Sequence, residues 1–438
     1  MTRAQGRVVL GLLVLLVGVA GVRRTEAGPV VHVIARRTLD GTPLAIALEG
    51  APQREGPGGL AFVLTSDDHK VEVLDPRSGA LRGALAVGSN PLALAVDTRA
   101  GRVFVAGYDP GPPTPSLGSC CANGTARVRV LDIGSGRLVQ AVPVGLPPIA
   151  LAVDVQHGRV FVSSCSPTDR TSRVSVLDAR SGRLLRTLVI GPFARAVAVD
   201  TRSGHAFVVA ADGSERGQVS MLDSSGSRPL RTVAVAPAPG AMAVDERTGR
   251  VFVLTPRSVG VLDSHSGALL RMTRLGSDLV GLAVDEQTSR VFATAETAVR
   301  GTGSVSVLDA RSGQLLRTVA VGLLPVAVAV DERHHRVFVA SQSLADGGGP
   351  PGPGSVSVLD AASGAILRTV AIGGAPSAVA VDAGTGHVLV LTGAGAAAPA
   401  GWWERWRPRL HRWLPWLPLQ RARTGVVPAG VTALAVSG

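Results

Sequence analysis

Three groups of side chains in this 438-residue chain are able to do chemistry. The largest is a set of aspartates closing two repeated tripeptides. Val-Leu-Asp, once Met-Leu-Asp, ends at Asp75, Asp132, Asp178, Asp223, Asp263, Asp309 and Asp360. Ala-Val-Asp ends at Asp97, Asp154, Asp200, Asp245, Asp285, Asp331 and Asp382. A carboxylate can act as a general acid or base, hold a cation, or bond the backbone of its own turn. Seven copies of each argue for the turn role, because catalysis needs one site. His157, His205, His335 and His387 lie in or beside the turn after the second tripeptide and read as repeat-equivalent surface residues. No catalytic residue, metal ligand set or cofactor is expected.

The second group is Cys120, Cys121 and Cys165. Three cysteines are too few for a disulfide scaffold and lack zinc-finger spacing. Two readings stay open: a disulfide from Cys165 to Cys120 or Cys121, or three independent thiols. A catalytic cysteine is not supported, since no histidine stands close in the same segments. The third group is Trp402, Trp403, Trp406, Trp413 and Trp416, every tryptophan of the chain gathered in one short segment and interleaved with Arg409 and Arg412. Trp402, Trp406, Leu410, Trp413 and Leu417 follow helical spacing, which Pro408, Pro415 and Pro418 interrupt. Indole and guanidinium together suit a membrane interface or a partner contact. The alternative is a lid folded over the protein.

The elements that position these groups follow from the repeats. Each second Asp follows its partner at one fixed spacing, as Asp200 follows Asp178. At a second fixed spacing beyond it stand Phe104, Phe161, Phe207, Phe252, Phe292 and Phe338. Leu389 replaces the aromatic in the last copy. Each unit reads as four short strands, a to d, with apolar residues alternating at period 2. Strand a is the Ala-Val-Ala-Val-Asp type and is apolar on both faces, as an innermost strand should be. Strand d carries Arg186, Arg231, Arg271, Arg317 and Arg368 at one position, charges suited to guarding an open outer edge. Four-stranded units of this length, as from Asp178 to Asp223, predict an all-β fold when repeated in this way, a single β-propeller.

The units resemble the YVTN-repeat, YncE-like β-propeller family over residues 42–391, on Val-Ser-Val-Leu-Asp followed at the same fixed spacing by Ala-Val-Ala-Val-Asp. The resemblance implies a propeller, and a surface or periplasmic location. Strands a to d are complete seven times between residues 43 and 372. Residues 376–391 supply an eighth a and b, Val431 to Leu434 an eighth c, and Val30 to Ile34 its d. Eight blades closed by the two ends are therefore favoured over seven with strands left over.

Composition sets the remaining bounds. The net charge of +12 divides into +3 over residues 1–27, +5 over residues 402–423 and a dispersed remainder, so no phosphate-tracking stripe forms and nucleic acid is excluded as a partner. Arg3 and Arg7 precede an uncharged apolar run, Val8 to Val22, too short at about 22 Å to span a bilayer of roughly 30 Å. Residues 1–27 therefore read as a signal peptide or uncleaved anchor, and residues 28–438 as an exported, monomeric propeller with an insertion at 392–430.

All length variation falls in the b–c connections, which share one face with the d–a connections and the mouth of the central channel. Function is expected on that loop face. Two classes of function remain. One is a non-catalytic binding or scaffold protein, taking a protein or small-molecule ligand and membrane-associated through the Trp-rich insertion. The other is a propeller hydrolase or lyase of the lactonase kind. Acidic and histidine side chains converging on the channel mouth would favour the enzyme; an apolar or arginine-lined mouth would favour binding.

Overall fold

The computed structural model describes residues 30–39, 43–48, 59–66, 69–109, 125–166, 171–211, 216–226, 228–276, 278–296, 303–343, 352–382, 385–393 and 430–437. Within them every regular element is a β-strand. The innermost strands are β2 (Pro43–Leu48), β6 (Pro91–Asp97), β10 (Pro148–Asp154), β14 (Ala194–Asp200), β18 (Met242–Asp245), β22 (Asp278–Asp285), β26 (Pro325–Asp331) and β30 (Ala375–Asp382). From β2 to β26, each begins a sheet of four strands consecutive in sequence, seven blades in all. Strand β30 pairs with β31 (His387–Gly393), which pairs with β32 (Gly430–Ser437). β32 pairs in turn with β1 (Val30–Thr38), antiparallel from Val30 opposite Ser437 to Thr38 opposite Gly430. Neighbouring innermost strands lie side by side round a ring, with β30 against β2. The protein is a single all-β propeller of four-stranded blades.

One blade shows why these residues make these strands. In β10, β11 (Arg159–Cys165), β12 (Thr171–Asp178) and β13 (Leu184–Pro192), the turn after Asp154 brings Arg159 opposite both Asp154 and Asp178. Gly182 closes the c–d turn at a φ of 75°, in the left-handed region that glycine enters without steric cost. Burial falls from the inside outward: Phe161 on β11 is fully buried, while Leu184 and Leu185 on β13 are more than two-fifths exposed. The core lies between blades. Ala150, Ala152, Phe161, Val174 and Val176 pack against Val197, Ala206, Val208 and Leu222 of the next blade. Alanines on strand a leave room for the phenylalanine of strand b, whose burial contributes about 1.5–3 kcal/mol.

The strand-d arginines do more than guard an edge. Arg231 donates to the Ser266 carbonyl at 3.2 Å and Arg317 to the Ser363 carbonyl at 2.9 Å, each in the c–d turn of the next blade. They tie neighbouring blades together at the rim.

Candidate functional site: the channel mouth on the loop face

The two ends of the ring are built differently. At the turn end, the Ala-Val-Asp aspartates are at most 6% exposed. Asp154 Oδ1 accepts the backbone N–H groups of Gln156 (3.1 Å) and His157 (3.0 Å), and its Oδ2 meets His157 Nδ1 at 2.8 Å. Asp331 and His334 repeat the arrangement at 2.7 Å. Burial pushes the Asp154 carboxyl above the ordinary carboxylate range, and the His157 bonds oppose it. The Val-Leu-Asp aspartates serve the c–d turns: Asp178 Oδ1 accepts the Ser181 hydroxyl (2.7 Å) and backbone N–H (2.8 Å), which lower its pKa. Three glutamates then run from blade to blade. Glu246 accepts from the Thr201 backbone (2.9 Å) and hydroxyl (2.7 Å), Glu286 from the Glu246 N–H (2.6 Å), and Glu332 from the Glu286 N–H (3.0 Å).

A cavity of about 350 Å³ opens on this turn face, lined by Arg202, Arg247, Arg250, Glu246, Asp263 and His265 among others. Its guanidinium groups are already engaged. Arg250 holds Asp263 at 2.8 Å, Arg202 donates to the Glu246 carbonyl at 3.3 Å, and Arg247 bonds the Glu286 carbonyl and Ser289. Arg202 and Arg247 tie neighbouring blades and Arg250 ties two strands of its own blade, so this face reads as structural.

The loop end carries a different pattern. Strand a starts here, and in seven innermost strands a residue near its start, five before the aspartate position, falls in a β-bulge: Leu44, Leu92, Ile149, Arg195, Val280, Val326 and Ser377. A bulge leaves one residue out of the ladder and re-aims its side chain. Leu44, Leu92 and Ile149 are each 41% exposed on strands otherwise largely buried, with Ala93 and Ala150 beside them at 4% or less. Because strand a is innermost and these residues stand at its loop-face end, they ring the mouth of the channel. At the eighth position, before β18, stands Gly240, and a Cβ built there meets nothing within 4 Å. Two residues ahead of four of these positions, Asn90, Phe193, Ala238 and Leu324 have φ between 40° and 48°. Such left-handed non-glycine residues cost roughly 1–3 kcal/mol each and collect at functional sites.

The ring of bulge residues contains one charge. Arg195 is half-buried, burial lowers its pKa, and nearby Cys165 acts in the opposite sense. At the same end, Asp109 receives Arg127 and Arg129, and Glu296 stands opposite Asp278. Burial, and then Asp278, raise the Glu296 carboxyl. Among the described residues, no group of three or more His, Cys, Asp or Glu side chains is placed to hold a metal ion.

The sequence-predicted residues fall as follows. Cys165 ends β11 on the loop face, buried, with its Sγ 3.5 Å from the Ser166 carbonyl. Cys120, Cys121, Trp402, Trp403, Trp406, Arg409, Arg412, Trp413, Trp416 and the segment 1–27 lie outside the described residues. The histidines are not uniform surface residues. His387 is 9% exposed, and burial lowers its pKa to about 4, modulated by Asp382, Arg77 and Asp75. His205 reaches the Ser264 carbonyl of the next blade at 2.9 Å, and His335 occupies a left-handed position that is glycine in five other blades. Sequence reasoning missed the bulge ring. Its signal was the proline just ahead of it, at Pro43, Pro91, Pro148, Pro239, Pro325 and Pro376.

No protein-family model matches the chain, and no curated protein matches it. Among solved structures it is similar to BamB from Moraxella catarrhalis, with 13% identity, 83% of this chain and 97% of that one covered, and a TM-score of 0.53. It is also similar to hydrazine synthase of Kuenenia stuttgartiensis, with 15% identity, 74% and 96% covered, and a TM-score of 0.50. At these identities the likeness shows the propeller fold alone.

Proposed function

We propose that this chain is an exported, YVTN-type binding or scaffold propeller that takes its ligand at the loop-face mouth of its channel. The observation that carries the proposal is the bulge ring: five of its seven bulge side chains are leucine, isoleucine or valine, one is arginine and one serine. Five apolar bulge residues with one arginine support binding over lactonase-type hydrolysis, which needs converging acids and bases, whereas the acids described at this end are the Asp278–Glu296 pair and the arginine-bound Asp109. Contiguous exposed apolar side chains are the usual mark of a contact surface, and Leu44, Leu92 and Ile149 stand on adjacent innermost strands. The ring reads as eight-bladed and closed by its ends, supported by the pairing of β1 with β32 and by β30 lying against β2. The Trp-rich insertion adds a membrane contact, and Cys165 with Cys120 or Cys121 a disulfide on the same face. Both rest on residue type and export, the second also on the loop-face position of Cys165.

The test places aspartates at the mouth, Leu92→Asp with Ile149→Asp, and measures co-isolated ligand by native mass spectrometry of the exported protein. The proposal expects a ligand on the parent chain that is lost from the variant at unchanged melting temperature. Equal ligand on both would move the site elsewhere. Deletion of 394–429 tests the membrane contact separately, since vesicle co-sedimentation should fall with the tryptophans and six arginines, most for anionic lipid.

A further inference from the structure

Arg195 is the one charged side chain among the seven bulge residues. Among the described residues no hydrogen bond or ion pair reaches its side chain, whereas Arg127 and Arg129, on the same face two blades away, share Asp109. A half-buried guanidinium held without a counter-charge costs stability, and the cost is recovered when an anion arrives. Its surroundings are shaped for one. On one side the ring continues as Ile149, Leu92 and Leu44, an exposed apolar arc. On the other stands Gly240, which leaves open space where the other blades present a side chain. The backbone at Gly240 is not left-handed, so conformation does not demand glycine there.

Resting on the mouth as the binding site, we infer that its ligand is a small molecule with one anionic group and an apolar chain. The anion sits in the notch between Arg195 and Gly240, and the chain lies along Ile149, Leu92 and Leu44. The arginine alone would favour any anion, and the apolar arc alone any hydrophobe. Their adjacency selects a molecule that is both.

Equilibrium dialysis of the full chain tests this with dodecanoate and dodecanol, both below their aggregation limits. Dodecanoate should bind more tightly than dodecanol. Arg195→Gln should weaken dodecanoate by about tenfold or more and leave dodecanol unchanged, and Arg195→Lys should restore part of the loss. Gly240→Leu, which fills the notch and completes the apolar ring, should weaken dodecanoate as well. Melting curves confirm that each variant folds. Equal binding of the two probes, with no effect of Arg195→Gln, would overturn the inference and leave the mouth as an unselective apolar site. If neither probe binds, the inference is also overturned, and the mouth itself then stands or falls on the Leu92→Asp and Ile149→Asp variants.

Discussion

The two ends of one strand carry opposite designs. β10 begins at the loop face with exposed Ile149, held out by a bulge, and ends at the turn face with Asp154, fully buried and bonded to its own turn. Going round the ring, the turn end is nearly constant: aspartate, left-handed glycine, and arginine or histidine reaching a partner aspartate or carbonyl. The loop end varies in residue type while keeping one backbone irregularity. Where the side chain is constant, its bonds are made within the protein, although the second carboxylate oxygens of Asp200, Asp245 and Asp285 are buried with no hydrogen-bond partner among the described residues. Where it varies, Leu44, Leu92, Ile149 and Val280 are exposed while Arg195, Val326 and Ser377 are half-buried, and four of the eight positions follow a left-handed non-glycine residue. The turn face holds the blades together, and the loop face is where we propose that ligand binds.

Substitution should separate the faces by size of effect. Asp154→Ala removes the acceptor for two backbone N–H groups and for His157 in a site sealed from water, and should cost about 2 kcal/mol in chemical denaturation. Leu92→Ser, at the loop end of the preceding blade, should stay within about 0.5 kcal/mol. A loss at Leu92 matching that at Asp154 would erase the distinction. His387 sharpens it through pH. Its pKa, about 4 in the folded protein against an ordinary 6.5, means that the unfolded chain binds the proton more readily. Stability is therefore fully present above about pH 6.5 and falls as pH drops toward 4. His387→Gln should flatten the unfolding midpoint across that window. An unchanged pH profile would show that His387 takes up its proton as readily in the fold as in the unfolded chain. The smallest effect is expected at the c–d turn, where Asp178→Ala should cost roughly 1 kcal/mol because its serine donors can turn to water. Loss of ligand by a folded Asp178→Ala protein would contradict its structural role.

The fold was legible because each blade repeats its own signals: two aspartates at one fixed spacing, a phenylalanine at another and a glycine in each turn. These are local, and they fix strand, turn and face together. What passes between blades was not legible. Arg231 and Arg317 look like edge charges until the ring brings in Ser266 and Ser363 from the next blade. His387 looks like a surface histidine until burial holds it neutral in the place of a strand-b arginine. The mouth was hidden for a third reason. Leu92, Ile149 and Val280 are apolar residues in an apolar strand and read as core, and only a bulge turns them out. The repeated proline before them marked the place without saying which way the next side chain would point.

The central claim is that ligand meets the loop-face mouth and not the turn face. A photo-crosslinking amino acid placed at Leu92, and in a second protein at Arg99, probes the two ends of a single blade in cells exporting the protein. The account predicts an adduct from Leu92 and none from Arg99. Adducts of equal yield from both, or from Arg99 alone, would contradict it.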